Sequence, residues 1–462
     1  MSPTRRDFFK QTGSAGVLIS TPYFWTSRAN GAVVADSQPT VASIGVGGSR
    51  GRYNQGGYIG RKAAQFGRTI AVCDVDALHT EEFSAWSQEK HGHKLNQYGD
   101  YRELLAKEKP DIVTIGTPDH WHVPIAIEAL HAGCDVYCEK PLTLTIAEGI
   151  QICKVVEETG RVFQVGTQQR SENDARFLKA IAIVQSGRLG KNVNAYVAIG
   201  DAPDEGPFAA QEVPDGLDWD RWVGPAPKVE YLEQRRRMFR WWFEYSGGKM
   251  TDWGAHHIDI AQWALGQEKS GPIEVSAQGT FPKMVPDGFS WKPFLDGETT
   301  LPNGYNTATH FSIDLKFANG STINVNDTYR RKGGKTEFGN GILFEGEDGR
   351  IFVNRSKLTG KPVEELSSDD NRELEEQIVK LYRGRQPGNH MGNFFASVAD
   401  RQQPISDVYT HHRIMTSCHL CNLTLMFGRT LHWDPQRQTF PDDSEATALM
   451  TRKRRAGFEL EV

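Results

Sequence analysis

From Thr40 onward the chain alternates short, almost wholly apolar runs with longer amphipathic stretches. That texture is expected when buried parallel strands are joined by crossover helices. Residues 41–44 and 69–73 read as the first two strands, with a helix over about 57–66 between them. Residues 112–115, 135–138 and 162–165 read as three more, separated by helices near 123–131 and 146–158. Together they predict an α/β unit over 38–166, a doubly wound parallel sheet. Beyond Gly187 the period changes to two. Residues 310–317 and 321–325 alternate apolar and polar positions on either side of Asn319-Gly320, a strong hairpin signal. Residues 342–346 and 349–353 repeat the pattern around Glu347-Asp348. The expectation is an α+β unit over 167–435 with a mostly antiparallel, open sheet. Two helices near 389–399 and 409–427 should pack on the fold, ahead of a tail over 436–462.

With 462 residues the chain can bury a large core. Lys and Arg number 53 against 58 Asp and Glu, a net charge of −5, without the basic excess of a nucleic-acid binder. No run approaches the roughly 20 apolar residues that span a bilayer. Six cysteines are too few for a disulfide-dense scaffold. A soluble globule is expected, with neither nucleic acid nor a membrane span. Ahead of it, Thr4-Arg5-Arg6-Asp7-Phe8-Phe9-Lys10 precedes a small-residue and apolar run from Gly13 to Ile19. This resembles a bacterial twin-arginine export signal, which is an address read by a receptor rather than an anchor. Residues 1–37 are therefore set apart as a leader, with Asn30-Gly31-Ala32 and Val33-Val34-Ala35 as alternative cleavage sites. The mature chain is expected in the periplasm. Because that route moves folded proteins, a cofactor would travel inside and be tightly held.

The first predicted strand runs into Gly45-Val46-Gly47-Gly48-Ser49-Arg50-Gly51. Without Cβ atoms a chain can turn tightly and bring backbone N–H groups and a helix N-terminus to a pyrophosphate. Gly45, Gly47, Gly48, Ser49 and Arg50 are thus candidate cofactor contacts, although the spacing departs from G-x-G-x-x-G because position 50 is arginine. The second strand ends at Asp74, 23 residues past Gly51. An acid roughly 20 residues on is placed to bind the ribose 2′-hydroxyl. A carboxylate there favours NAD over NADP, whose 2′-phosphate would meet like charge; Asp76 is the alternative acid.

Two segments fall at the C-terminal ends of predicted parallel strands, where ligands of open α/β sheets bind. They are Thr117-Pro118-Asp119-His120-Trp121-His122 and Glu139-Lys140-Pro141-Leu142. Thr117, Pro118, His120, His122, Glu139 and Lys140 join the candidate cofactor contacts. With these residues the chain resembles the glucose–fructose oxidoreductase, inositol dehydrogenase and rhizopine catabolism family (Gfo/Idh/MocA), over about residues 40–435. The resemblance implies an N-terminal Rossmann fold, a C-terminal sheet domain that serves oligomerisation, and a lysine, here Lys140, beside the nicotinamide and the reacting hydroxyl. Hydride transfer from a secondary alcohol needs the hydroxyl proton removed, or its oxygen stabilised, as the hydride leaves. An ammonium can hold that oxygen.

The segment Gly247-Gly248-Lys249-Met250-Thr251-Asp252-Trp253-Gly254-Ala255-His256-His257-Ile258-Asp259 leads into an apolar run to Leu265. On one helix Asp252, His256 and Asp259 stand at i, i+4 and i+7, a polar stripe on an apolar element. The pattern resembles the family's G-G-x-x-x-D-x-G-x-H-x-x-D helix. That resemblance implies substrate contact by Asp252 and His256, and its spacing selects His256 over His257. His256 would act as general acid/base near its unperturbed pKa of about 6.5, with Asp252 orienting hydroxyls or the imidazole.

Gly166-Thr167-Gln168-Gln169-Arg170 is either a contact to cofactor or substrate or a plain crossover between domains. The stretches 219–225 and 235–242 mix aromatic and basic residues as sugar-binding loops do. Cys418-His419-Leu420-Cys421 lacks a second Cys/His pair, so no metal is expected. The reading is an exported, NAD-dependent oxidoreductase acting on CH–OH groups of a sugar, cyclitol or glycoside, with bound and internally recycled cofactor. Its catalytic residues would be Lys140, His256 and Asp252, and it would assemble as a homo-oligomer through the second sheet. The alternatives are a glycosidase working by transient ring oxidation and a non-catalytic sugar sensor.

Overall fold

In the computed structural model, which describes residues 38–459 apart from Tyr53 and Lys332, six parallel strands form the first sheet. The export-like leader lies outside the described residues. The elements are β1 (Thr40–Ile44), α1 (Gln55–Ala63), β2 (Arg68–Cys73), α2 (Ala77–His91), β3 (Asn96–Tyr98) and α3 (Tyr101–Glu108), followed by β4 (Ile112–Ile115), α4 (His122–His131), β5 (Asp135–Cys138), α5 (Ile146–Thr159) and β6 (Phe163–Val165). The strand order is β3-β2-β1-β4-β5-β6. Successive connections therefore leave in opposite directions from between β1 and β4, and the loops after those strands part to form a crevice. β4 and β5 are buried along their whole length, which explains why their residues do not alternate apolar with polar. Edge strand β3 has three polar or aromatic residues, none of them fully buried, and so offered no apolar run to read.

The second sheet follows helix α6 (Arg176–Gln185) and has eight strands. They are β7 (Asn194–Ala198), β8 (Glu274–Thr280), β9 (His310–Lys316), β10 (Thr322–Asn326), β13 (Gly341–Glu345), β14 (Arg350–Val353), β15 (Leu358–Thr359) and β16 (Leu431–His432); β11 (Tyr329–Arg330) and β12 (Glu337–Phe338) make a separate ribbon. The order is β15-β14-β13-β7-β10-β9-β8-β16, antiparallel except for the parallel β7–β10 pair. Both expected hairpins, β9–β10 and β13–β14, are present. Along β9 the inward residues Phe311, Ile313 and Leu315 join the core, while His310, Ser312, Asp314 and Lys316 face out.

Short helices α7 (Trp219–Val223) and α8 (Glu233–Arg237) precede α9 (Gly248–Asp252) and α10 (Gly254–Ala264). The two C-terminal helices form at His390–Asp400 and Val408–Phe427. The apolar face of the first packs on the other unit. Its Met391, Phe394, Phe395 and Val398 pack with Val41, Ile59, Ala63, Ile112 and Tyr137 of the first. Cys418 and Cys421 lie in the core on the second.

Arg170, just past β6, is clamped where the two units meet. Its Nε donates to Asp259 Oδ2 at 2.8 Å, its Nη1 donates to the Ile405 carbonyl at 3.0 Å, and its guanidinium lies 4.7 Å from the Trp263 ring centre. Asp259 is fully buried, so the third member of the expected polar stripe is a structural counter-ion and not a substrate contact. Removing one partner of a buried pair strands the other charge. Arg170→Met should therefore cost about 3–5 kcal/mol in denaturant unfolding. Arg170→Met with Asp259→Leu should recover much of that loss.

Candidate active site

The glycine turn begins where β1 ends. Gly45 has φ +72°, and a Cβ there would stand 2.4 Å from Thr117 Cγ2; a Cβ on Gly56 would stand 1.8 Å from the Gly45 carbonyl oxygen. Only glycines let β1, the loop after β4 and the start of α1 approach this closely. Gly47 N–H donates to Asp74 Oδ2 at 3.0 Å, and Asp76 N–H donates to Asp74 Oδ1 at 3.0 Å. Asp74 thus fixes the turn while lining the cleft. Asp76, the alternative acid, caps α2 and pairs with Arg236, so its carboxylate is already committed.

The cleft holds about 590 Å³, within the range of small-molecule sites. Of the residues expected there, Gly45, Gly47, Asp74, Thr117, Pro118, His122, Glu139, Lys140, Asp252 and His256 form its walls. Four do not. Gly48 packs against Glu82 and His79, Ser49 N–H donates to Glu82 at 2.9 Å, and Arg50 donates to the Asp215 carbonyl at 2.7 Å. The displaced third glycine of the motif lets the turn swing these three outward. His120 is the fourth. The 3₁₀ turn Asp119–Trp121 points it behind the wall, where Nε2 lies 2.9 Å from the Trp222 carbonyl and the ring packs against Trp222 and Tyr245.

His122 ties together the loops that follow β4 and β5, with Nδ1 2.7 Å from the Pro141 carbonyl and Nε2 2.9 Å from that of Thr117. Burial pushes its pKa down to about 4, and the neutral ring, with a single N–H, donates to one of these two carbonyls. Glu139 accepts from Gln55 at 3.1 Å and from Gln168 at 2.9 Å, and burial raises its pKa. Gln168 itself lines the cleft, while Arg170 of the same segment serves the structural pair described above.

Across the cleft, Lys140 Nζ donates to Asp252 Oδ1 at 2.7 Å and to the Asp252 carbonyl at 3.1 Å. Arg240 Nη1 donates to the other carboxylate oxygen at 2.9 Å. Burial alone would raise the Asp252 pKa, but the Lys140 and Arg240 charges outweigh it and hold the group at about 2. The expected continuous helix breaks at Trp253, between α9 and α10. Asp252 therefore ends one helix while His256 stands in the first turn of the next. His256 is 5% exposed and its Nδ1 is buried without a hydrogen-bond partner. Burial, then the nearby Lys140 and Arg355 charges, push its pKa well below the ordinary histidine value. It is a neutral base, not the evenly poised acid/base read from the sequence. His257 points elsewhere, its Nε2 3.1 Å from Asn340 Oδ1.

Two cleft groups escaped the sequence reading. Arg240 was only part of an aromatic and basic stretch. Asp119 was passed over within the 117–122 segment, yet it is buried and lines the cleft, and Ser246 Oγ donates to it at 2.5 Å. Burial raises its pKa to about 7 against the opposing pull of Ser246, Arg240 and Lys140.

The residues present fit a dinucleotide. The glycine turn admits backbone approach, Asp74 stands at the ribose position, and Thr117 Oγ1 and His256 Nδ1 are buried polar atoms without a protein partner in the cleft walls. Asp119 also gives a titration signature. Its folded-state pKa lies above its unfolded value of about 3.9, so wild-type stability falls as pH rises toward about 7 and is level beyond it. The melting temperature of Asp119→Asn should therefore gain on wild type across that window and keep a constant lead above it. A difference that does not vary with pH would show Asp119 to be an ordinary carboxylate.

A model of an oxidoreductase family with an NAD-binding Rossmann fold matches residues 40–167, and a model of the family's C-terminal alpha/beta domain matches 204–292 and 307–460. The chain is 24% identical over 385 residues to D-glucoside 3-dehydrogenase of Escherichia coli (strain K12), covering 76% of this chain and 96% of that protein. Its 28% identity to inositol 2-dehydrogenase of Salmonella typhimurium extends over 123 residues, 26% of this chain and 35% of that one. Among solved structures, the WlbA dehydrogenase of Bordetella pertussis in complex with NADH and UDP-GlcNAcA shares the fold at 17% identity, with a TM-score of 0.56 over 86% of this chain and 99% of that one.

Proposed function

Because the chain belongs to the Gfo/Idh/MocA family of NAD-binding oxidoreductases, we propose that it oxidises or reduces a secondary ring hydroxyl of a sugar, cyclitol or glycoside. The observation that carries this reading is the meeting of Lys140 from the first unit with Asp252 of the second, in the wall that also holds His256. When bound, the nicotinamide supplies the hydride acceptor or donor. The chain's own residues manage the oxygen and its proton. Two of the three Lys140 donors are spent on Asp252, which aims the third at the substrate oxygen. Neutral His256, in the cleft wall, accepts the hydroxyl proton. The ammonium beside it lowers its proton affinity while stabilising alkoxide character on the substrate oxygen. Asp252, shared with Arg240, keeps the ammonium in place.

The Arg5-Arg6 leader supports a periplasmic location. A free nucleotide pool is not expected there, and this favours a cofactor that stays bound and is recycled in place by a second carbohydrate. The helix-free face of the second sheet, with Ser312, Asp314 and Asn324 turned outward, is where we place a contact between copies of the chain. Sedimentation should give about twice the chain mass; a monomer at all concentrations would remove that contact.

Denaturing the purified protein should release NAD(H), and carbohydrates deuterated at the oxidised carbon should pass deuterium to it. Lys140→Ala should lower turnover roughly 10²–10⁴-fold with unchanged unfolding, since Asp252 keeps Arg240. Full activity in that variant, or absence of nucleotide binding in the wild type, would sink the reading. Glycosidic cleavage with solvent hydrogen entering beside the oxidised carbon, and no net redox change, would replace net oxidoreduction by hydrolysis. A nicotinamide band that no carbohydrate alters would leave a sensor.

A further inference from the structure

The last described residues come back to the first unit. After Met450, whose carbonyl accepts from Ala147 N–H at 3.1 Å, the chain runs across both units and is tied down at nearly every step. Arg452 donates to the Phe243 carbonyl, and Lys453 N–H donates to Asp296 at 2.9 Å. Arg454 pairs with Glu148 on α5. Arg455 donates to the Gly224 carbonyl at 2.9 Å, to the Asp220 carboxylate at 2.7 Å and to the Asp220 carbonyl at 2.8 Å. A free terminus would need none of this. The segment ends with Phe458 edge-on to Trp121, ring centres 5.7 Å apart, and with the Arg455 guanidinium 4.6 Å from the Phe458 ring centre.

Gly457 and Phe458 both line the catalytic cleft. The part they close is set by their neighbours. Trp121 contacts Tyr101, which begins α3 beyond β3, and both line the cleft together with Val75, Asp100 and Ile125. Asp74 stands at the position that binds the adenosine ribose. The wall beyond it, toward β3, is therefore the adenine end, and Lys140, Asp252 and His256 mark the other.

We infer that residues 451–459 form a strap that completes the dinucleotide site, with Phe458 and Gly457 walling the adenine end and Arg455 holding them there, so that bound nucleotide leaves only when the strap lifts. The inference rests on the NAD reading and adds residues to it from the far end of the sequence. It also supplies a physical reason for retention, since the edge of the adenine pocket is fastened to both halves of the molecule rather than left to solvent.

The test measures release of bound NADH, followed by its fluorescence after mixing with excess NAD, in the full-length protein and in Phe458→Ala, Phe458→Trp, Arg455→Ala and Arg455→Lys. Phe458→Ala and Arg455→Ala should speed release about tenfold, the factor that loss of one aromatic contact of ordinary strength produces. Phe458→Trp should hold nucleotide as wild type does. Arg455→Lys, which keeps the charge but not the forked geometry, should fall between. Release rates equal to wild type in both alanine variants, with melting curves showing them folded, overturn the strap and leave the NAD reading intact. Wild-type protein that binds no NADH overturns both.

Discussion

One buried carboxylate holds the site together. Asp252 accepts from Lys140 on one oxygen and from Arg240 on the other, and the three residues come from separate stretches of chain. A single negative charge between two cations fixes the distance between the loop after β5 and the end of α9. Displace Asp252, and two positive charges face each other across the space where an alkoxide must form. The ion pairs proposed to stabilise the reacting oxygen thus also bridge the two units at the cleft, and orientation at the substrate would be inherited from them.

The same field decides what the histidine can do. An isolated imidazole would titrate near neutrality, but burial and two neighbouring cations keep His256 neutral. Its proton affinity in the empty cleft is low, and it rises only where negative charge develops on a nearby oxygen. Asp119 works in the opposite sense, since burial keeps its proton on near neutrality. Burial in the cleft thus favours the uncharged form of both groups, a neutral imidazole and a carboxyl whose pKa is raised to about 7.

How much of this could be read beforehand follows from what each feature depends on. The buried strands and both hairpins were legible, because hydrophobic period and turn residues are local properties, and the resemblance to the family pointed to Lys140, Asp252 and His256, which line one cleft. β3 was not, since a short edge strand needs no apolar run. The outward turn of His120 was not, because a single 3₁₀ turn directs the middle one of three consecutive side chains away from the cleft. The stripe of Asp252, His256 and Asp259 was seen as one feature and divides into three, two residues at the site and one counter-ion for Arg170. Arg240 and Asp119 owe their chemistry to burial beside distant partners, and sequence does not encode burial in any single residue.

The helix His390–Asp400 carries a consequence for synthesis. Its Met391, Phe394, Phe395 and Val398 are the covering for Val41, Ile59, Ile112 and Tyr137, residues that leave the ribosome long before it does. Until that helix emerges, the nascent first sheet has a bare apolar face and no native partner for it. The first half therefore cannot close its own core ahead of the second, and translation must nearly finish before that face is covered.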